Sequence, residues 1–283
     1  MEIESLNIRK LETYSSIIEF IDNTENTVID SLIVDFEQSE ILENQGKILS
    51  ILKLLSKISD NHHRLADFID KFGTLIHYLL QKIRPAISDY AIYQIFKNNK
   101  RILLLLLEQK YIQPDEKIRS DIMKTKDKNN FPYSHYLYSG IKSFINKNEL
   151  KKIENEIQQK YDEEITKFEE KCRIGENDSY ICSLIRQDSA EEFISYVNRN
   201  STSLLSKIQP SIFETNSFLM QKRPTLIEYA SFFGSIQIIQ YLQFNKVPLE
   251  DSMWLYCIHS NNAELIHFLE ANEAEPNKKS QEK

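Results

Sequence analysis

The chain has 283 residues, 41% of them hydrophobic, with 42 acidic against 35 basic side chains and a net charge of −7. Five glycines and seven prolines are about a third of the usual share, which leaves few positions for tight hairpins and argues against a strand-rich sandwich or barrel. The negative balance argues against nonspecific binding to nucleic acid or an anionic membrane, where a concentrated positive field is expected.

The start, Met1-Glu-Ile-Glu-Ser5, is acidic where a secretory signal is basic and then apolar. The longest apolar run, Ile102 to Leu107, is far below the about 20 residues of a membrane span. A cytoplasmic location is therefore expected, or a nuclear one. Ile48, Ile51, Leu52, Leu55 and Ile58 recur at helical spacing, as do Phe68, Ile69, Phe72, Leu75, Ile76 and Leu79, so three or four helices are expected before residue 80. Lys124, Lys126 and Lys128 alternate with Thr125 and Asp127, and Lys278-Lys279 lie in a charged tail over 273–283; both read as solvated surface.

From about residue 85 a short apolar segment, a polar break and a second apolar segment recur. Ile95 and Asn99 precede Leu104 and Leu107; Ile185 and Ser189 precede Ile194 and Val197; Ala230 and Gly234 precede Ile239 and Leu242; Cys257 and Asn261 precede Ile266 and Leu269. Each set predicts two short antiparallel helices around a tight turn, whose apolar faces need neighbouring pairs to bury them. Between the first two sets, Leu150, Ile153, Ile157, Tyr161, Ile165, Phe168 and Cys172 step by three or four, which predicts one long amphipathic helix near 149–172. Glu156 with Lys160 and Glu163 with Lys167 read as i,i+4 pairs along it. Its mean step, about 3.7 residues, is nearer a straight helix packed on its own protein than a coiled-coil seam.

The run from Thr225 to Leu242 resembles an ankyrin repeat, whose pattern is T-P-L-H-x-A-A-x-x-G-H followed by V-x-x-L-L. Thr225, Ile227, Ala230, Gly234, Ile239 and Leu242 match it, and the run from Trp254 to Leu269 places Cys257 at the small position and Asn261 in the turn. Leu226, Glu228, Ser235 and Asn262 depart from it. The stretch from Gly175-Glu-Asn-Asp-Ser-Tyr-Ile-Cys182 through Asn216-Ser-Phe-Leu219 to the end of the second repeat-like unit, about 175–276, is similar to ankyrin-type proteins of parasitic protists such as Trichomonas, which carry a helical N-terminal region. The resemblance implies an all-α protein: a helical region over 1–172, then ankyrin-like helix-turn-helix repeats over 175–272 forming an α-solenoid. It also implies that the two residues before each turn, Phe232 and Phe233 and then His259 and Ser260, lie near a concave binding groove. The family pattern contains no catalytic residue.

The remaining chemistry is sparse. Adjacent His62 and His63 point about 100° apart on a helix and have no spaced ligands, and Asn261-Asn262 separates His259 from His267. Cys172, Cys182 and Cys257 have no CxxC spacing and read as reduced thiols. The glycines are isolated, so no phosphate loop exists. Phe131, Tyr136 and Leu137 around His135 read as a fastening between the two halves rather than a base-stacking groove. No cofactor, metal or catalytic residue is expected. The function expected is noncatalytic binding of a protein partner, as an adaptor or scaffold, with an oligomeric state the residues leave open. Phe232 has core packing as its other reading, and Trp254 is expected to be buried. Two alternatives stand beside this: an enzyme or enzyme subunit with a site near His62, His63 or His135, and a shortened array with a reduced binding surface.

Overall fold

A computed structural model describes residues 28–38, 44–59, 68–84, 86–260 and 262–272, together with the single positions 15, 17 and 42. Among them the fold is all-helical, with seventeen helices and only two isolated antiparallel bridges, Lys126 to Pro132 and Lys207 to Thr225. The chain divides into two units at Ile174/Gly175. His62, His63, Asn261 and the tail over 273–283 lie outside the described residues.

In the first unit, α1 (Val28–Gln38), α2 (Gln45–Ile58) and α3 (Phe68–Ile83) precede the hairpin of α4 (Asp89–Phe96) and α5 (Lys100–Glu108). The greasy run seen in the sequence is α5, buried at Ile102, Leu103, Leu104, Leu106 and Leu107. It packs on α3 and α4, and on the short helices α7 (Tyr133–Tyr136) and α8 (Tyr138–Ile141), which follow α6 (Glu116–Lys124). Gly140 permits the close approach of α8, because a Cβ there would lie 2.6 Å from Leu107 Cβ.

The helix expected near 149–172 is two helices, α9 (Lys147–Tyr161) and α10 (Ile165–Ile174). Asp162 ends α9 in the left-handed region, with φ 51°. The expected i,i+4 pairs are absent. Glu156 reaches His135 and Lys152, Lys160 lies over the Phe131 and Tyr161 rings, and Glu163 pairs with Lys171 at 2.5 Å. Tyr136 and Leu137 are buried, and the Tyr136 hydroxyl donates to the Cys172 carbonyl; both partners belong to the first unit.

The second unit contains three hairpins, α11 (Tyr180–Arg186) with α12 (Ala190–Arg199), α14 (Leu226–Phe233) with α15 (Ile236–Phe244), and α16 (Met253–Ser260) with α17 (Ala263–Ala271). The six-residue α13 (Ser217–Lys222) stands between the first two. The first helices lie side by side, α14 against both α11 and α16, while α12 packs on α15. Asp188 and Gly234 make the first two turns with φ 50° and 70°, and the amides after them bond to Leu184 O and Ala230 O. The turn thus falls at Asp188, one residue before the Ser189 that the spacing suggested, because Ser189 opens the next helix. Asn99 is likewise the N-cap of α5, its side chain accepting from Ile102 N.

Polar contacts fix the register of neighbouring hairpins. Ser235 Oγ donates to Ile185 O, Asp188 carboxylate oxygens accept from Gln237 N and Ile238 N at 3.1 Å, and Asn262 Nδ2 donates to Gly234 O at 3.3 Å. Each second helix ends on an asparagine whose amide returns to the carbonyl four residues back: Asn200 to Tyr196, Asn245 to Tyr241, Asn272 to Phe268. The long connection before α14 is tied to the entry of the unit by Asn177 Nδ2 to Gln209 O, Ser211 Oγ to Asp178 and Thr215 Oγ1 to Gly175 O.

Candidate functional site

The candidate residues stand at the turn ends of α14 and α16. A capping box starts α14, Thr225 accepting from Glu228 N while Glu228 Oε2 accepts from Thr225 N, and Gly234 closes it. Glu228 Oε1 accepts from Ser252 Oγ at 2.6 Å, so the carboxylate that departs from the repeat pattern also links α14 to the start of α16.

Six rings gather between these helices and α13. The His259 ring lies 4.7 Å from Phe218 and 5.0 Å from Phe232; Phe218 meets Tyr256 at 4.9 Å; Phe233 lies 4.7 Å from Tyr229 and 5.0 Å from Phe232. Phe232 has no exposed surface. Its expected place in a binding groove is corrected accordingly: it fills the core between hairpins and supports the rings above it. Phe233 and His259 are half-buried. The Ser260 hydroxyl is committed locally, donating to Cys257 O at 2.7 Å and accepting from Asn262 N at 3.2 Å. Trp254 is half-buried rather than enclosed. Phe218 and Ile258 are the residues sequence reading passed over. Comparing the last two hairpins at their 27-residue offset, which sets Ile258 beside buried Ser231, would have found Ile258.

Around His135 the first unit holds a different arrangement. Lys100 Nζ pairs with Asp127 Oδ2 at 2.7 Å, with side chains 1% and 3% exposed, and lies 4.7 Å from the Tyr136 ring centre. Asp127 Oδ1 also accepts from Asn129 N and Phe131 N, which folds the turn that carries the chain into α7. His135 Nε2 meets Glu156 Oε2 at 3.0 Å and Nδ1 meets the Tyr161 hydroxyl at 3.3 Å. Burial lowers the His135 pKa from 6.5 against the opposing pull of Glu156. Burial raises the Tyr161 hydroxyl and the Cys172 thiol, and pushes Cys182 up to about 11. Both imidazole nitrogens are therefore occupied, and the neighbouring tyrosine and thiol are held in their protonated forms at neutral pH.

An open depression of about 640 Å³ on α4 and α6 is lined by Tyr90, Asp115, Glu116, Lys117, Ser120, Asp121 and Lys124, with Lys117 Nζ 3.7 Å from the centre of the Tyr90 ring. His135 does not line it. Among the described residues no group of three or more His, Cys, Asp or Glu side chains is placed to hold a metal ion, and no helix is long and apolar enough to cross a membrane. No family model, curated protein or solved structure matches this chain.

Proposed function

We propose that the chain is a noncatalytic protein-binding module, an adaptor or scaffold whose second unit is a short solenoid of ankyrin-like hairpins. One observation carries this reading: the Phe233 and His259 rings, on consecutive hairpins, are partly exposed and both rest against buried Phe232. Rings held in this way present apolar area to a partner at small entropic cost. The repeated packing of α14 between α11 and α16, and the side-chain bonds from one turn to the next, support the solenoid reading. Ser260 serves the turn, so the partner contacts narrow to Phe233 and His259.

The alternative of an enzyme in the first unit draws on buried His135 and its contacts with the exposed Glu156 carboxylate and the Tyr161 hydroxyl. The binding reading is preferred because that imidazole has both nitrogens engaged and its side chain is 4% exposed. Affinity capture from lysate of the native cell tests the proposal, comparing the wild-type chain with a Phe233→Ala/His259→Ala variant of matched helicity. A specific protein retained by the wild type and lost from the variant is expected. Equal retention by both would remove the assigned face.

A further inference from the structure

The last hairpin leaves open an apolar face that the hairpin before it has covered. The two share an offset of 27 residues: α14 and α16 begin and end 27 apart, Ser235 and Asn262 open the second helices, and Asn245 and Asn272 close them with the same side-chain bond. At this offset Ser231 corresponds to Ile258, Glu228 to Leu255 and Ile239 to Ile266. Ser231 and Ile239 are buried, and Glu228 is bonded to Ser252 of the next hairpin. Ile258 is 70% exposed, and Leu255 and Ile266 are half-buried, Ile266 packing in part on the core. Leu255 and Ile258 are one turn apart on α16 and share a side of it. The last hairpin thus carries larger apolar groups, with less cover, at positions its predecessor uses to receive a neighbour.

Charge identifies the occupant. From Val247 to Asn272 there are four acids, Glu250, Asp251, Glu264 and Glu270, and no lysine or arginine; all four acids are exposed. Among the described residues His267 pairs with Glu270, at 3.3 Å. A second copy docking by the same face would set these acids against each other. We infer that the α16–α17 end face docks an amphipathic helix of a partner protein, an apolar stripe flanked by lysine or arginine, laid on α16 as α16 lies on α14. Apolar burial supplies affinity, and the acidic rim selects the partner and speeds encounter. This deepens the protein-binding reading while using side chains separate from Phe233.

The probe is a tryptophan-free synthetic helix of about five turns with a leucine stripe flanked by lysines, and its control has the same stripe flanked by glutamates. Trp254, the chain's single tryptophan and half-buried on α16, reports binding to the full chain through its emission. A saturable change is expected with the lysine helix, at least tenfold tighter than with the control and weakened by salt. Ile258→Asp, at an exposed position, should lose at least tenfold in affinity with helicity unchanged. Glu264→Lys/Glu270→Lys should narrow or reverse the preference, and Phe233→Ala should leave it intact. Equal affinity for both helices, no saturable binding of the lysine helix, or indifference to Ile258→Asp would overturn the inference. So would self-association in sedimentation that Ile258→Asp abolishes, which would give the face to a second copy. Loss on Phe233→Ala alone would move binding back to the turn-end face.

Discussion

Phe232 and Phe233 are adjacent in sequence and opposite in environment, one without exposed surface and the other half-open. Phe232→Ala should lower the unfolding free energy by about 3–5 kcal/mol, the cost of emptying a packed aromatic site. Phe233→Ala should cost less than half of that in the same urea titration, while reducing capture of the partner. Lys100 carries a larger electrostatic commitment. Replacing it with Met strands the Asp127 carboxylate among buried groups and should cost about 3–5 kcal/mol, read as a lower urea midpoint. His135 gives a pH dependence of known sign. Its folded pKa lies below the ordinary 6.5, so below pH 6.5 the unfolded chain binds more protons and stability falls as the solution is acidified. Glu156, Lys160 and Tyr161 face it, and Lys160 reinforces the lowering. Removing the group with His135→Gln should flatten the dependence of the first unit's urea midpoint between pH 7 and pH 5; an unchanged slope would assign the loss to other groups. At this scale the sequence places residues on faces, as it did for the apolar positions of α14. It offers core packing as one of two readings of Phe232 and leaves Phe233 undecided, because the rings that cover Phe232 come in part from α13 and α16, remote in the chain.

Among elements, the scarcity of glycine is met by ordinary residues in the left-handed region. Lys110, Ser201 and Lys246 follow the second helices of their hairpins with φ between 50° and 63°. The amides after them reach back five residues, to Leu106, Val197 and Leu242, which closes the helix ends by the Schellman pattern. A side chain there carries strain of about 1 kcal/mol, so Lys246→Gly should raise stability by about that amount, seen as a higher melting temperature. Gly140→Ala should act in the other direction, since its Cβ would press on Leu107; a loss of about 1–3 kcal/mol is expected. The helical hairpins were legible from spacing, because helices of seven to ten residues need one apolar stripe each. The break after Tyr161 was not. Asp162, Glu163 and Glu164 include neither glycine nor proline, and the apolar steps continue across them from Tyr161 to Ile165 and Phe168. The turn position slipped by one residue after α11 for a related reason: Asp188 takes the left-handed place that glycine marks at 234.

For the molecule as a whole, composition indicated an all-helical chain, and the division at Ile174/Gly175 gives each unit its own core. A chain of this kind turns its chemistry inward: Lys100, Asp127, His135, Glu214 and Asn216 are spent on internal hydrogen bonds. Outward in the second unit lie the partly exposed rings of Phe233 and His259, exposed Leu205, Phe244 and Ile258, and the acids of the last described hairpin. The binding proposed above leaves no spacing signature of the kind a metal site or nucleotide loop writes into sequence. The sequence therefore carried an expectation of binding but no partner. The most direct measurement is hydrogen–deuterium exchange on the full chain, alone and with the protein recovered by affinity capture. The account predicts slowed exchange at the turn ends of α14 and α16, over 230–236 and 257–264, with the His135 region unchanged. Protection confined to α7 and α9, with none at those turns, would contradict it and move the functional site to the first unit.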